Sequence, residues 1–377
     1  MAAIRHHIAF RSFRWAIIWV AVIVISISAG FGGFLASIAP KASDAGVLLS
    51  PINSKVPLTL FETGLYADPA TLTVDPQHIA FAPQYPLWSD GAEKHRWISL
   101  PPGDAIDTSD PDVWDFPVGT RLWKEFSFDH QKVETRYMER LADGLWLFAA
   151  YAWSDDGKDA RLAPDMGLKN AHSLAGGASH AIPGVYDCRA CHLSGPVPVL
   201  GFSERQLGSK DMAGLFKNNP EAPALDVLGA RGVFDSLDAR HLTANLTDAS
   251  TLEREALGYL HGNCGHCHNR YGPLAKLGFD LRGSATDPYS GPIETTLGQP
   301  LKFPPPGLVP GTIARIAPGH PDRSAIPQRM ASRSPMLQMP PLGTALVDAE
   351  AVELINRWIA ETEVVSVHAQ HHVGEEE

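Results

Sequence analysis

Two copies of one five-residue pattern, Cys188-Arg189-Ala190-Cys191-His192 and Cys264-Gly265-His266-Cys267-His268, use every cysteine in the 377-residue chain. In each, two thiols stand three positions apart and an imidazole follows the second directly. On a helical turn, positions i, i+3 and i+4 share one face, so each pentapeptide presents two sulfurs and a nitrogen to a single flat partner. Whatever the chain folds into must leave room for two such partners.

This is the attachment pattern of c-type haem, in which the thiols add to the porphyrin vinyl groups and the imidazole ligates iron. Two covalently attached haem c groups are expected, held by Cys188, Cys191, Cys264 and Cys267, with His192 and His268 as proximal ligands. Zinc is the main competing use of paired Cys-x-x-Cys motifs. Zinc pairs are usually about 15–20 residues apart, whereas Cys188 and Cys264 lie 76 apart and each pair is followed at once by His. A disulfide framework is less favoured still.

The compartment agrees with that chemistry. Residues 15–38 contain no charged side chain, and Arg5, Arg11 and Arg14 precede them. An apolar stretch of about 20 residues behind basic residues reads as a membrane anchor with its start in the cytoplasm. It is longer than the apolar region of about 7–15 residues in a cleaved signal peptide, which is the second reading. Either places the cysteines outside the cytoplasm, on the periplasmic side of the inner membrane or in the soluble periplasm. The formal charge of −11 disfavours a nucleic-acid partner and favours a redox partner protein with a basic docking face.

Strand patterns occupy the first half of the exported part. Residues 121–128, 133–140 and 145–153 alternate polar and apolar side chains, separated by turn residues at 129–131 and 142–144. Such alternation implies one buried and one wet face, as in an antiparallel β-sandwich or barrel. Trp88, Trp97, Trp114, Trp123, Trp146 and Trp153 are expected in its core. Short helices follow at 203–207, 209–217 and 224–231. Further on, Ser250-Thr251-Leu252-Glu253 reads as a capping box opening a helix toward Cys264. A final helix over 348–362 carries Val352, Ile355 and Ile359 on one stripe.

Residues 248–362, with Cys264-Gly265-His266-Cys267-His268, the loop Met339-Pro340-Pro341-Leu342-Gly343 and the terminal helix, resemble a class I cytochrome c domain. The resemblance implies that the first and last helices cross and that Met339 supplies the second axial bond to the second haem. Met336 and Met330 are the other methionines near it, and Arg329 is a candidate partner of a haem propionate. The stretch Asp115 to Phe126 is similar to β-fold monohaem cytochromes that oxidise hydroxylamine. The segment Tyr85-Pro86-Leu87-Trp88-Ser89-Asp90-Gly91 resembles one in exported haem proteins and assigns no activity.

The expected fold is therefore α+β and multidomain: an N-terminal antiparallel β-sandwich or barrel followed by a mostly helical cytochrome c domain. Its divisions are an anchor or signal peptide over 1–40, a linker over 41–58, a β-rich domain over 59–185, a first haem-binding segment over 186–247, the cytochrome c-like domain over 248–362 and a disordered tail over 363–377. The sixth ligand of the first haem stays open among Met166, His172, His180, Met212 and His241. The function expected is single-electron transfer by a dihaem cytochrome c. Its rival is a dihaem oxidoreductase, peroxidase-like or hydroxylamine-oxidase-like, with catalysis at the first haem.

Overall fold

Asp129 and His130, both at positive φ (48° and 65°), close a tight hairpin between Arg121–Phe128 and Gln131–Arg140, the middle of a six-stranded antiparallel sheet. The computed structural model describes residues 56–207, 225–236, 249–287, 289–303, 311 and 313–363. The expected anchor, the helix over 209–217, Met212, His241 and residues 364–377 lie outside them. Pro57 onward forms one unit, distinct from Met1–Val56, and concerns everything below. Among the described residues no helix is long and apolar enough to cross a membrane.

The strands are β1 (Tyr66–Asp68) and β2 (Thr73–Val74), paired with each other; β3 (Ile79–Ala80), β4 (Glu93–Ser99), β5 (Arg121–Phe128), β6 (Gln131–Arg140), β7 (Trp146–Trp153) and β8 (Ala160–Leu162), which form the large sheet in chain order; and β9 (Leu168–Ser173) paired with β10 (Ser179–Ile182). The helices are α1 (Val185–His192), α2 (Glu204–Leu207), α3 (Leu225–Ala230), α4 (Thr251–Asn263), α5 (Ser290–Thr296), α6 (Ala325–Met330) and α7 (Ala349–Glu361). The class is thus mixed α+β, with the three expected strands and the expected terminal helix in place.

One expectation fails in an informative way. Alternation in the strands predicted a wet face, yet, although β4 keeps exposed positions at Glu93 and His95, β5, β6 and β7 are largely covered on both faces. On one, Trp123 Nε1 donates to Thr63 Oγ1 (2.9 Å) and Trp153 packs edge-on against Phe61 and Tyr66. On the other lie Arg96, Lys124, Glu134 and Arg136, and Glu134 is fully buried. The polar positions face inward because this side of the sheet walls a cavity.

In the C-terminal part, Ser250 caps α4 by accepting from Glu253 N (3.1 Å), and Asp348 caps α7 by accepting from Ala351 N (3.0 Å). The two helices pack through Ala256, Leu257 and Leu260 against Ile355, Trp358 and Ile359, all buried. The segment from Tyr85 to Asp90 joins this part to the sheet. Gly258 and Gly262 on α4 have no space for a Cβ because Tyr85 lies directly on them. Asn263 Oδ1 accepts from Trp88 N (2.7 Å), and its Nδ2 donates to Pro86 O (3.2 Å).

Asp90 completes the join. Its Oδ1 accepts from Ala345 N (2.7 Å) and Leu346 N (2.8 Å), just beyond the Met-Pro-Pro loop, while Oδ2 accepts from His180 Nδ1 (3.2 Å). His180 Nε2 donates to Glu134 Oε1 (3.1 Å), and Glu134 also takes Arg136 (2.6 Å). Burial favours a neutral His180 ring, but the hydrogen bonds to Asp90 and Glu134 outweigh it and raise its pKa. Burial likewise works against both carboxylates, and their partners hold them below the usual range. An imidazolium bridging two buried carboxylates follows.

His180→Ala leaves two buried carboxylates without their shared cation, and should lower the unfolding free energy by about 3–5 kcal/mol in denaturant titration. In the parent protein, the contribution of His180 is complete below the usual histidine pKa of 6.5 and is lost as pH rises through its raised folded value. The midpoint should therefore fall on the alkaline side, and a flat profile there would show that His180 does not carry the charge.

Candidate functional site

Helix α1 places the first pentapeptide. Gly184 N donates to Asp187 Oδ2 (3.0 Å) at its start, and Cys188, Cys191 and His192 share the face that packs on β7. His192 Nδ1 lies 2.7 Å from Pro198 O. A carbonyl only accepts, so Nδ1 carries the proton and Nε2 keeps its lone pair, the tautomer that a metal-binding imidazole needs. Phe148 lies 5.2 Å from the ring centroid, and burial pushes the pKa of His192 down to about 4, keeping the ring neutral.

The second pentapeptide follows the end of α4. Cys267 N and His268 N both donate to Cys264 O (3.1 and 2.8 Å), which makes one further turn and brings both sulfurs and the ring to one side. The His268 ring lies tilted against Phe279 (4.6 Å between centroids), its Nδ1 is buried without a hydrogen-bond partner, and burial lowers its pKa to about 4.

Both pentapeptides open on a single cavity of about 510 Å³, within the range of about 300–1,000 Å³ common for cofactor sites. All four cysteines, His192, His268 and Met339 line it. Met339 is held by a hydrogen bond from its own N to Arg329 O (3.0 Å). Met336 is 75 % exposed, and Met330 belongs to the buried core as well as the cavity wall. Arg329 lines the same cavity with its Nε buried and unpartnered.

Of the open candidates for the first motif, Met166 is 79 % exposed, His172 stacks on Phe128 (4.8 Å), and both nitrogens of His180 serve the carboxylates described above. None of the three lines the cavity. His320 lies on a turn after Gly319, and His261 is spent on Arg282 O. Met138 and the basic residues Arg96, Lys124 and Arg136 line the cavity, although nothing in the strand pattern singled them out.

The two pentapeptides meet. Asn269 is buried, with Nδ2 donating to Ser194 O (2.9 Å) and Gly265 O (3.0 Å), and Oδ1 accepting from Gly272 N (2.9 Å). Gly272 lies so close to Ser194 O that a Cβ would collide with it. This clasp gathers Cys191, His266 and Cys267, whose ligand atoms lie within 4.8 Å of one another. The hydrogen bond between the two thiols raises Cys191 to about 12 and lowers Cys267, so Cys267 ionises first. Burial raises Cys188 to about 11 and Cys264 to about 12. The separation along the chain that disfavoured zinc carries less weight once folding brings the motifs together. The set nonetheless holds three donors among the described residues, one fewer than a closed tetrahedral site.

Asn269→Ala removes a buried amide that bonds three carbonyl oxygens, and should cost about 1–3 kcal/mol of stability in denaturant titration; an unchanged midpoint would mean that the clasp is not formed. Comparison with protein-family models, with curated proteins and with solved structures finds no match to the chain.

Proposed function

We propose that the chain is an exported dihaem cytochrome c that passes single electrons, with a β-sandwich or barrel domain ahead of a helical cytochrome c domain. The observation that carries this reading is the shared cavity with all four thiols, the neutral imidazoles of His192 and His268 and the thioether of Met339 on its wall. The residues fit the group on three counts: the Nδ1 bond of His192, the unpartnered Nε of Arg329, and a wall that includes Phe148, Leu122 and Leu281 beside the thiols. A bound haem supplies a one-electron iron couple whose potential its axial ligands and burial set.

The chain's own residues would act as follows. Cys188 and Cys191, and Cys264 and Cys267, hold the two groups, and His192 and His268 present their Nε2 lone pairs to the cavity. Met339 offers a soft sulfur that favours reduced iron. Phe148 and Phe279 exclude water around the two imidazoles. An acidic surface, with formal charge −11, suits a basic redox partner. The uncleaved segment over 15–38 would keep the protein on the periplasmic face of the membrane, and its removal would free it into the periplasm.

Two alternatives have specific observations behind them. A dihaem oxidoreductase is favoured by the failure of Met166, His172 and His180, the three candidates among the described residues, to reach the first site. A metal-thiolate protein is favoured by the Cys191, His266 and Cys267 cluster.

Expression in a cytochrome-maturing host should give a mass increased by two haems that survives denaturation and acid-acetone extraction. An unmodified mass with one bound zinc would replace this reading with the thiolate one. High-spin ferric iron or rapid carbon monoxide binding by half the haem would favour the enzyme. Met339→Ala should lower one reduction potential while both haems stay attached, and two unchanged potentials would reject Met339 as a ligand.

A further inference from the structure

Three cations stand side by side on the cavity face of the sheet. Arg96 of β4 is directly opposite Lys124 of β5, which is directly opposite Arg136 of β6. Directly opposed residues of antiparallel strands project from the same face, and like charges in such a row repel. Lys94, two positions along β4, is on that face as well and donates to Leu87 O (2.9 Å). Lys94 and Arg96 are buried, and Arg96, Lys124 and Arg136 line the cavity that also contains Cys188 and His192.

The neighbouring acids do not balance them. Four cations face three carboxylates, Glu134, Asp90 and, near Lys94, Asp348, and the first two already flank the His180 imidazolium. Arg136 has Glu134, whereas neither Arg96 nor Lys124 has a hydrogen bond or ion pair among the described residues. Their surroundings are otherwise aromatic: Lys124 Nζ lies 4.8 Å and the Arg136 guanidinium 4.3 Å from the centre of the Phe126 ring. Burial pushes Arg96 down to about 10, and burial with the adjacent cations pushes Lys94 down to about 7 and Lys124 well below its ordinary value. Uncompensated cations out of water are unfavourable, so the row is built to be neutralised from the cavity side.

We propose that the Arg96–Lys124–Arg136 row is an oxyanion site that receives carboxylate groups of whatever occupies the cavity beside the first pentapeptide. Guanidinium forks on either side of an ammonium match the planar, two-oxygen geometry of a carboxylate. Resting on the haem reading, the occupant is the propionate pair of the haem attached at Cys188 and Cys191. A diffusible oxyanion entering the same cavity has the same chemistry and is the second source.

The test uses the full-length protein from a cytochrome-maturing host, with Arg96→Gln, Lys124→Gln and the charge-keeping Lys124→Arg. Where the mass shows two haems, the neutralising variants should shift one reduction potential downward and make it pH-dependent in the acid range, with altered propionate bands in the resonance Raman spectrum. Lys124→Arg should behave as the parent, which separates lost charge from misfolding. If instead nitrite, acetate or phosphate gives a saturable spectral change in the parent that the neutralising variants lose, the row holds a diffusible oxyanion. Attached haems with no response in potential, Raman bands or anion titration would overturn the proposal. Should no haem be attached, the earlier reading fails while the row is still judged: calorimetric binding of nitrite, acetate or phosphate that Arg96→Gln abolishes supports it, and no binding overturns it.

Discussion

The hydrogen-bonded path from the backbone of Ala345 and Leu346 through Asp90 and His180 to Glu134 is the constraint on which the arrangement of the site rests. It fixes the chain just beyond the Met-Pro-Pro loop against the centre of the β-sheet. Because Asp90, His180 and Glu134 are buried, none of the three can be solvated as an alternative to its partner, and they behave as a unit. The position of Met339 on the cavity wall therefore depends on a histidine that sits outside that cavity. Trp88 strengthens the join by donating its Nε1 to Leu346 O (3.1 Å).

A single cavity serving both pentapeptides changes how the site should be understood. Two independent cytochrome modules would each close around their own group. Here the wall at the first pentapeptide is sheet and the wall at the second is helix and loop, and the clasp through Asn269 joins them. The sulfurs of Cys191 and Cys267 belong to one neighbourhood. That proximity is what short-range electron exchange needs, and it is also what gives the thiolate alternative its footing.

Local patterns made much of this legible. The strands over 121–128 and 145–153, the hairpin at Asp129 and His130, the cap at Ser250 and the helix ending at Glu361 all follow from side-chain periodicity and turn chemistry acting over a few residues. The buried charges were not legible. Alternation distinguishes the two faces of a strand but does not say what covers each, so Lys124, Glu134 and Arg136 looked like solvent-facing positions. His180 was a candidate iron ligand on its residue type alone, and only its two carboxylate partners reveal another role. Strand β9 has no periodic signal, because none of its residues is buried.

The clasp between Ser194 and Asn269 has a consequence for biogenesis. It links positions 75 residues apart in the chain, and the tight approach of Gly272 to Ser194 leaves no slack for the motifs to separate once it has formed. An enzyme that installs a porphyrin must reach both thiols of a pentapeptide in an extended, accessible segment. Cofactor insertion on the haem reading must then precede closure, and the last step of maturation is the locking of one loaded segment onto the other.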